Sequence, residues 1–265
     1  MIKNTFFLAA LTLLHAAPLQ AALIAHEPFN YESPTITSST VAGGQGFTGN
    51  WIVGQGSITV ASNLNYSGVP SSGSAGVSNG PTRGKELLAT PIDTGLTVYT
   101  TFILKGGGNA GSDGAGFILT GLTGNLFVGF GSEYTATESR FGMGSIDGGN
   151  SWANPTSFSI ATQNLSTTET YFIALKTSGD TTNLWINPPI ADLVAGTMNV
   201  PNLTMGGVIL GSVTGFGLNS PSAATTIDEV RIGTDWASVA GVPEPSGAGI
   251  IAVAGLILLS RRRKS

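Results

Sequence analysis

Between about Ile52 and Asp235 the chain repeats one pattern, a short run of apolar, β-branched or aromatic residues followed by a break of Gly, Asn, Asp, Ser or Pro. No long stretch carries the apolar spacing of an amphipathic helix, so the pattern predicts an all-β chain of many short strands. Its clearest strand starts at Thr97: Val98, Thr100, Phe102 and Leu104 alternate with Thr97, Tyr99, Thr101 and Ile103, and both faces are apolar enough for a central strand. Further strands are expected at 116–119, 126–130, 140–143, 157–161, 171–176, 183–186, 208–210, 215–218 and 229–232. Breaks at Gly106 to Asn109 and at Asp147 to Asn150 suit tight turns, and Asn187, Pro188 and Pro189 end a strand outright. The Gly- and Ser-rich stretch 68–81 reads as a long loop. The result is a two-sheet antiparallel sandwich or jelly roll.

The two ends of the chain read differently from this body. Lys3, an apolar run from Phe6 to Leu14 and a small-residue exit form a signal peptide, residues 1–21, with cleavage after Ala21 or Ala22. At the other end, Pro243, Glu244 and Pro245 lead into apolar residues 246–260, closed by Arg261, Arg262, Arg263 and Lys264. The two prolines favour extended chain before the apolar segment. That segment is about 22 Å long as a helix, against a hydrocarbon core of about 30 Å, which is short for a lasting anchor. The basic residues hold the C-terminus in the cytoplasm.

This tail, 241–265, resembles the PEP-CTERM sorting signal. The resemblance implies recognition by an exosortase, cleavage near Pro-Glu-Pro, and transfer of the body toward the cell surface, outer envelope or extracellular matrix. The secretion machinery and, transiently, the membrane are then partners.

Composition narrows what the body, 22–240, can do. It has no cysteine, so neither disulfides nor a thiol nucleophile are available. Without Lys3 and the four terminal cations the 11 basic residues fall to 6, and without Glu244 the 15 acidic ones fall to 14, a net charge of about −8. Such a surface disfavours nucleic acid. Of the 2 histidines only His26 survives signal cleavage, which removes multi-histidine zinc sites and leaves one histidine for any Ser-His-Asp triad.

Three stretches resemble concanavalin A-like (laminin-G-like) jelly-roll domains: Tyr171 to Lys176 with Asn183 to Pro188, Ile227 to Gly233, and Leu126 to Gly129 with Phe141 to Gly144. The resemblance implies the sandwich and, in that superfamily, lectins, glycoside hydrolases or adhesive modules. Its retaining hydrolases carry Glu-x-Asp-x-Glu on one strand, and no such run exists here. Asp228 and Glu229 are adjacent and on a regular strand would face opposite ways. Glu133 and Glu138 flank a turn, and with Glu86 and Glu229 they are the carboxylates an alternative polysaccharide hydrolase or lyase would use.

A lectin reading rests on Asp113 and Gly114, which resemble the Ala-Asp-Gly segment of legume-type lectins, where the Asp accepts sugar hydroxyls. Trp152 is the candidate stacking ring, whereas most of Trp51, Trp185 and Trp236 should be core. Asp147 and Asn150 are the nearest oxygen ligands for a calcium ion; no other cofactor is expected. The expectation is a non-enzymatic exported protein of adhesion, matrix structure or glycan binding, with extracellular polysaccharide as partner.

Overall fold

The computed structural model describes residues 22–71, 74–78, 82–107, 115–134, 138–147, 157–220 and 224–241. They build two antiparallel sheets packed face to face. The larger holds β1 (Leu23–Glu27), β2 (Thr35–Ile36), β4 (Ile58–Ser62), β5 (Ser74–Ser78), β7 (Val98–Gly107), β12 (Thr170–Ser178), β13 (Thr181–Ile186), β14 (Leu203–Met205) and β16 (Ala224–Gly233). Their order is β14-β13-β12-β7-β16-β5-β4-β2, with β1 beside β16. The smaller holds β3 (Phe47–Gln55), β6 (Thr82–Asp93), β8 (Ala115–Gly121), β9 (Gly124–Tyr134), β10 (Glu138–Asp147), β11 (Ser157–Ser166) and β15 (Ser212–Ser220), in the order β11-β10-β9-β8-β15-β6-β3. The all-β sandwich expected from the sequence is therefore present.

Strand alternation explains the layers. On β7, Val98, Phe102 and Leu104 enter the main core, while Ile103 points the other way into a second cluster with Phe172, Trp185 and Trp236. The rings of Phe102 and Phe117 stack at 4.3 Å and tie the two sheets together across that core. The outer face of the larger sheet is covered by α1 (Ile190–Ala195), α2 (Trp236–Val239) and the segment bearing Leu64 and Val69. A sheet with both faces covered needs apolar residues at both parities, which is why β7 reads as a continuous apolar run. Neither helix was visible in the sequence. Among the described residues no helix is long and apolar enough to cross a membrane; segment 246–260 lies outside them.

Two strand expectations are corrected. The stretch 68–81, read as loop, contains β5, whose Gly76 lies under the Phe29 ring: a Cβ there would sit 2.5 Å from that ring. This glycine supplies room rather than a turn. Conversely, 208–210 is not a strand; Val208 and Leu210 are buried from a loop bounded by Gly207 (φ 81°) and Gly211 (φ 70°).

The first strand of the body shares its sheet neighbour with another strand. One edge of β16 serves two partners, β5 along Thr225 to Ile227 and β1 along Val230 to Gly233. The change of partner coincides with a bulge between Asp228 and Arg231, where Glu229 takes φ 50°.

Candidate functional site

Two groups of buried carboxyls flank this junction. On the inner side, Glu27 of β1 and Glu86 of β6 are both 0% exposed. Glu27 is surrounded by donors: its Oε2 accepts from the Tyr31 hydroxyl at 2.8 Å, its Oε1 from the N–H of Phe29, and the N–H of Gly44 also reaches it. Tyr31 is held in turn by the Trp51 indole N–H (2.8 Å) and the Gly43 N–H (3.0 Å), which donate to its oxygen. Burial, then the charge of Glu27, pushes the Glu86 carboxyl up to about 10. Burial raises the Glu27 carboxyl as well, against the bonds it accepts, so the two carboxyls titrate as a pair that holds a proton more firmly than free carboxyls do. Burial raises the Tyr31 phenol as well, so it stays neutral.

On the outer side, His26 Nε2 and Arg231 Nη2 each lie 2.7 Å from Glu229 Oε2. Asp228 accepts from the backbone N–H of Leu64 at 2.9 Å and of Glu229 at 2.8 Å. Burial pushes Asp228 up to about 7, and the Glu229 charge adds to the rise. The expectation that Asp228 and Glu229 face opposite ways is overturned by the bulge. Ile227, Val230 and Ile232 all enter the main core, so Asp228 and Glu229 together occupy one outward step between them.

Both groups set a carboxyl whose proton affinity burial raises beside a second carboxyl, the make-up of an acid–base pair. Geometry gives them a different task. Glu27, Glu86 and Asp228 are 0% exposed and Glu229 1%, so no substrate atom reaches them as they stand. They join β1, β6 and β16 instead. No grouping of three or more His, Asp or Glu able to hold a metal ion occurs among the described residues.

Open surface is of another character. A cleft of 190 Å³ lies where β13 meets α1 and the loop before β14. Its floor includes Trp185, and its rim includes Asn187, Pro189, Asn199, Val200 and Asn202. Asn187 has φ 53°, held by two bonds to Phe172: its Oδ1 accepts that N–H (2.9 Å) and its own N–H donates to that carbonyl (2.7 Å). Asn202 Oδ1 accepts the Ile186 N–H at 2.8 Å, and the Asn199 carbonyl accepts the Trp185 indole N–H at 2.7 Å. A second cleft, of 290 Å³, lies between Thr123, Gly124 and Asn125 on one side and Gly207, Val208 and Ile209 on the other.

Of the residues singled out in the sequence, Asp113, Gly114, Asn150 and Trp152 lie outside the described residues, as do Ala21, Pro243, Glu244, Pro245, Arg261, Arg262 and Arg263. Ala22 is described and exposed. Asp147 is the last residue of β10, paired with Gly124 of the second cleft. Ala115, the first described residue after Asp113, pairs with Phe130, toward the other end of β9 from Gly124. Glu133 and Glu138 fall in β9 and β10. Trp51, Trp185 and Trp236 are core residues, as expected. The Asn cleft went unread because its parts meet only through the loop that folds back over Trp185.

No protein-family model and no curated protein sequence matches the chain. Among solved structures it is similar to the fourth domain of an extracellular arabinanase from Geobacillus stearothermophilus, in complex with arabinotriose: 14% identity, 83% of this chain and 99% of that one, TM-score 0.47. The globular domain of T. cruzi calreticulin matches at 12% identity over 91% of this chain and 100% of its own, TM-score 0.46. A carbohydrate-binding module from Bacillus subtilis matches at 12% identity over 75% and 99%, TM-score 0.39. Likeness at this level assigns neither a family nor a shared site.

Proposed function

We propose that the chain is an exported, non-enzymatic protein of the cell surface or extracellular matrix, whose concanavalin-like jelly-roll body binds glycan. The observation that carries this reading is the division of its polar groups. The carboxyls with altered protonation are sealed between strands, whereas the open clefts present carboxamides, backbone groups and apolar side chains. Uncharged lining of this kind favours binding over bond cleavage. The signal peptide and the tail from Pro243 to Lys264 support export and exosortase sorting, with Asp113 and a calcium ion at Asp147 and Asn150 as the lectin version.

The test is a glycan array probed with the full chain, with and without calcium, beside an assay for reducing ends on the same polysaccharides. Glycan binding without release of reducing ends is the expected result; turnover, or binding to no glycan, would overturn the reading. Loss of binding in Asp113→Ala would assign the lectin version. For sorting, cell-surface protein lacking the mass of residues 261–264 is expected, and surface protein that keeps them contradicts processing.

A further inference from the structure

The cleft under the Asn199 loop admits a more definite assignment, which rests on the glycan-binding reading. A backbone N–H can only donate, so the bonds from Phe172 N–H to Asn187 and from Ile186 N–H to Asn202 fix both carboxamides with Oδ1 turned inward. Their Nδ2 groups are thereby left on the exposed side of each residue. Two pre-oriented carboxamides thus offer donors at one rim, and neither needs to rearrange to accept a ligand oxygen.

The rest of the lining joins the polar Asn199 to an apolar patch. Val200 is 88% exposed, Pro189 is also exposed, and the buried Trp185 forms the floor, its ring pinned by the Asn199 carbonyl and by an edge-on contact with Trp236 at 5.3 Å. No titratable side chain lines the cleft. The cleft therefore offers no side-chain counter-charge to phosphates, sulfates or free carboxylates. At 190 Å³ the space falls below the roughly 300–1,000 Å³ of drug-sized sites, so it takes one ring-sized group of a longer ligand.

A group with acceptor oxygens along one edge, an apolar face, no charge and the size of a single ring is a neutral sugar unit. We infer that the Asn187–Asn202 cleft is a subsite for one uncharged pyranose or furanose residue of a polysaccharide, hydrogen-bonded by the two carboxamides and packed on Pro189 and Val200. The left-handed backbone of Asn187 has a role here: it turns the chain so that the side chain caps β12 and lines the rim at once.

The experiment uses the full chain on an array of neutral hexose and pentose oligosaccharides, with neutral unglycosylated peptides as controls. Asn187→Asp with Asn202→Asp keeps each inward acceptor and removes each outward donor; Val200→Arg obstructs the rim at a position too exposed to affect folding. Wild-type binding weakened about tenfold or more by both changes is the expected result. Should the Asp pair lower the melting temperature, Val200→Arg decides alone. Glycan binding indifferent to these changes overturns the subsite while leaving the glycan reading in place, and capture of the peptides through this cleft overturns the sugar assignment. A wild-type chain that binds no glycan removes the underlying reading and the subsite with it.

Discussion

His26 Nε2 lies 2.7 Å from Glu229 Oε2, a bond between the first strand of the body and the last across 203 positions of sequence. Arg231 completes the group from the other side of the same oxygen at 2.7 Å. Because β1 borders only the Val230 to Gly233 half of β16, this contact and the carboxyls on its inner side decide how firmly the N-terminal strand is held.

Glu229→Gln is expected to cost about 3–5 kcal/mol, since it removes the charge that both His26 and Arg231 bond to inside the protein. Arg231 has little slack, for its Nε already lacks a hydrogen-bond partner. His26→Ala should cost less, about 0.5–1.5 kcal/mol, because that side chain is 21% exposed and water replaces part of what is lost. Urea midpoints measure both. Equal losses, or a Glu229→Gln loss below about 1 kcal/mol, would show that Glu229 is not the hub of this contact.

Stability should fall as pH rises through neutrality. Glu86 is raised from its ordinary 4.5 to about 10, so the folded chain keeps a proton that the unfolded chain has released at every pH between those values. Its contribution is complete below 4.5 and drains away up to about 10; Asp228 adds the same sign between 3.8 and about 7. Melting temperature measured from about pH 5 to pH 9 is expected to decline, and Glu86→Gln, permanently neutral, to flatten the decline. An unchanged slope in the Gln variant would mean that the buried proton resides elsewhere.

Much of this frame could be read from residue order alone. The two-faced alternation of β7, the hairpin of β12 and β13, and the core placement of Trp51, Trp185 and Trp236 follow from local period and composition. What escaped reading depends on contacts between distant segments. Gly76 in β5 looks like a turn glycine until the Phe29 ring is placed over it, and Asp228 with Glu229 looks like plain strand until the change of partner forces a bulge. Glu86 carries no local sign that its neighbour will be Glu27. The Asn cleft is hidden for a similar reason: each asparagine alone reads as a turn residue, and only the bonds to Phe172 and Ile186 fix which way their carboxamides face.

Tyr31→Phe probes the inner group without changing its shape. The hydroxyl accepts from Trp51 and Gly43 and donates to Glu27, so its removal leaves two donors and one buried acceptor short. At about 0.5–1.5 kcal/mol for each bond, and more where the partner is a buried carboxyl, a loss of about 2–4 kcal/mol is expected by thermal or urea unfolding. A change in Trp51 fluorescence should accompany it, because its indole N–H loses its acceptor. An unaltered midpoint would mean that water enters and replaces the phenol, and that this end of the core is open.

Were the N-terminal segment removed as the proposed signal peptide, the fold would distinguish the two expected cleavage positions. The Ala22 N–H donates to Thr234 Oγ1 at 3.2 Å, and its carbonyl accepts from the Thr234 N–H at 3.1 Å. Ala22 thus belongs to the sheet region where the chain leaves β16, and cleavage after position 21 preserves both bonds. Cleavage one residue later deletes them and frees the first residue of β1, Leu23. The new α-amino group at Ala22 retains protons to donate to the threonine hydroxyl, so maturation there does not loosen the strand. Under the export proposal the N-terminal peptide is expected to begin at Ala22 by mass spectrometry; a peptide beginning at Leu23 would show cleavage without regard to this pairing, and one beginning at Met1 would contradict the signal peptide.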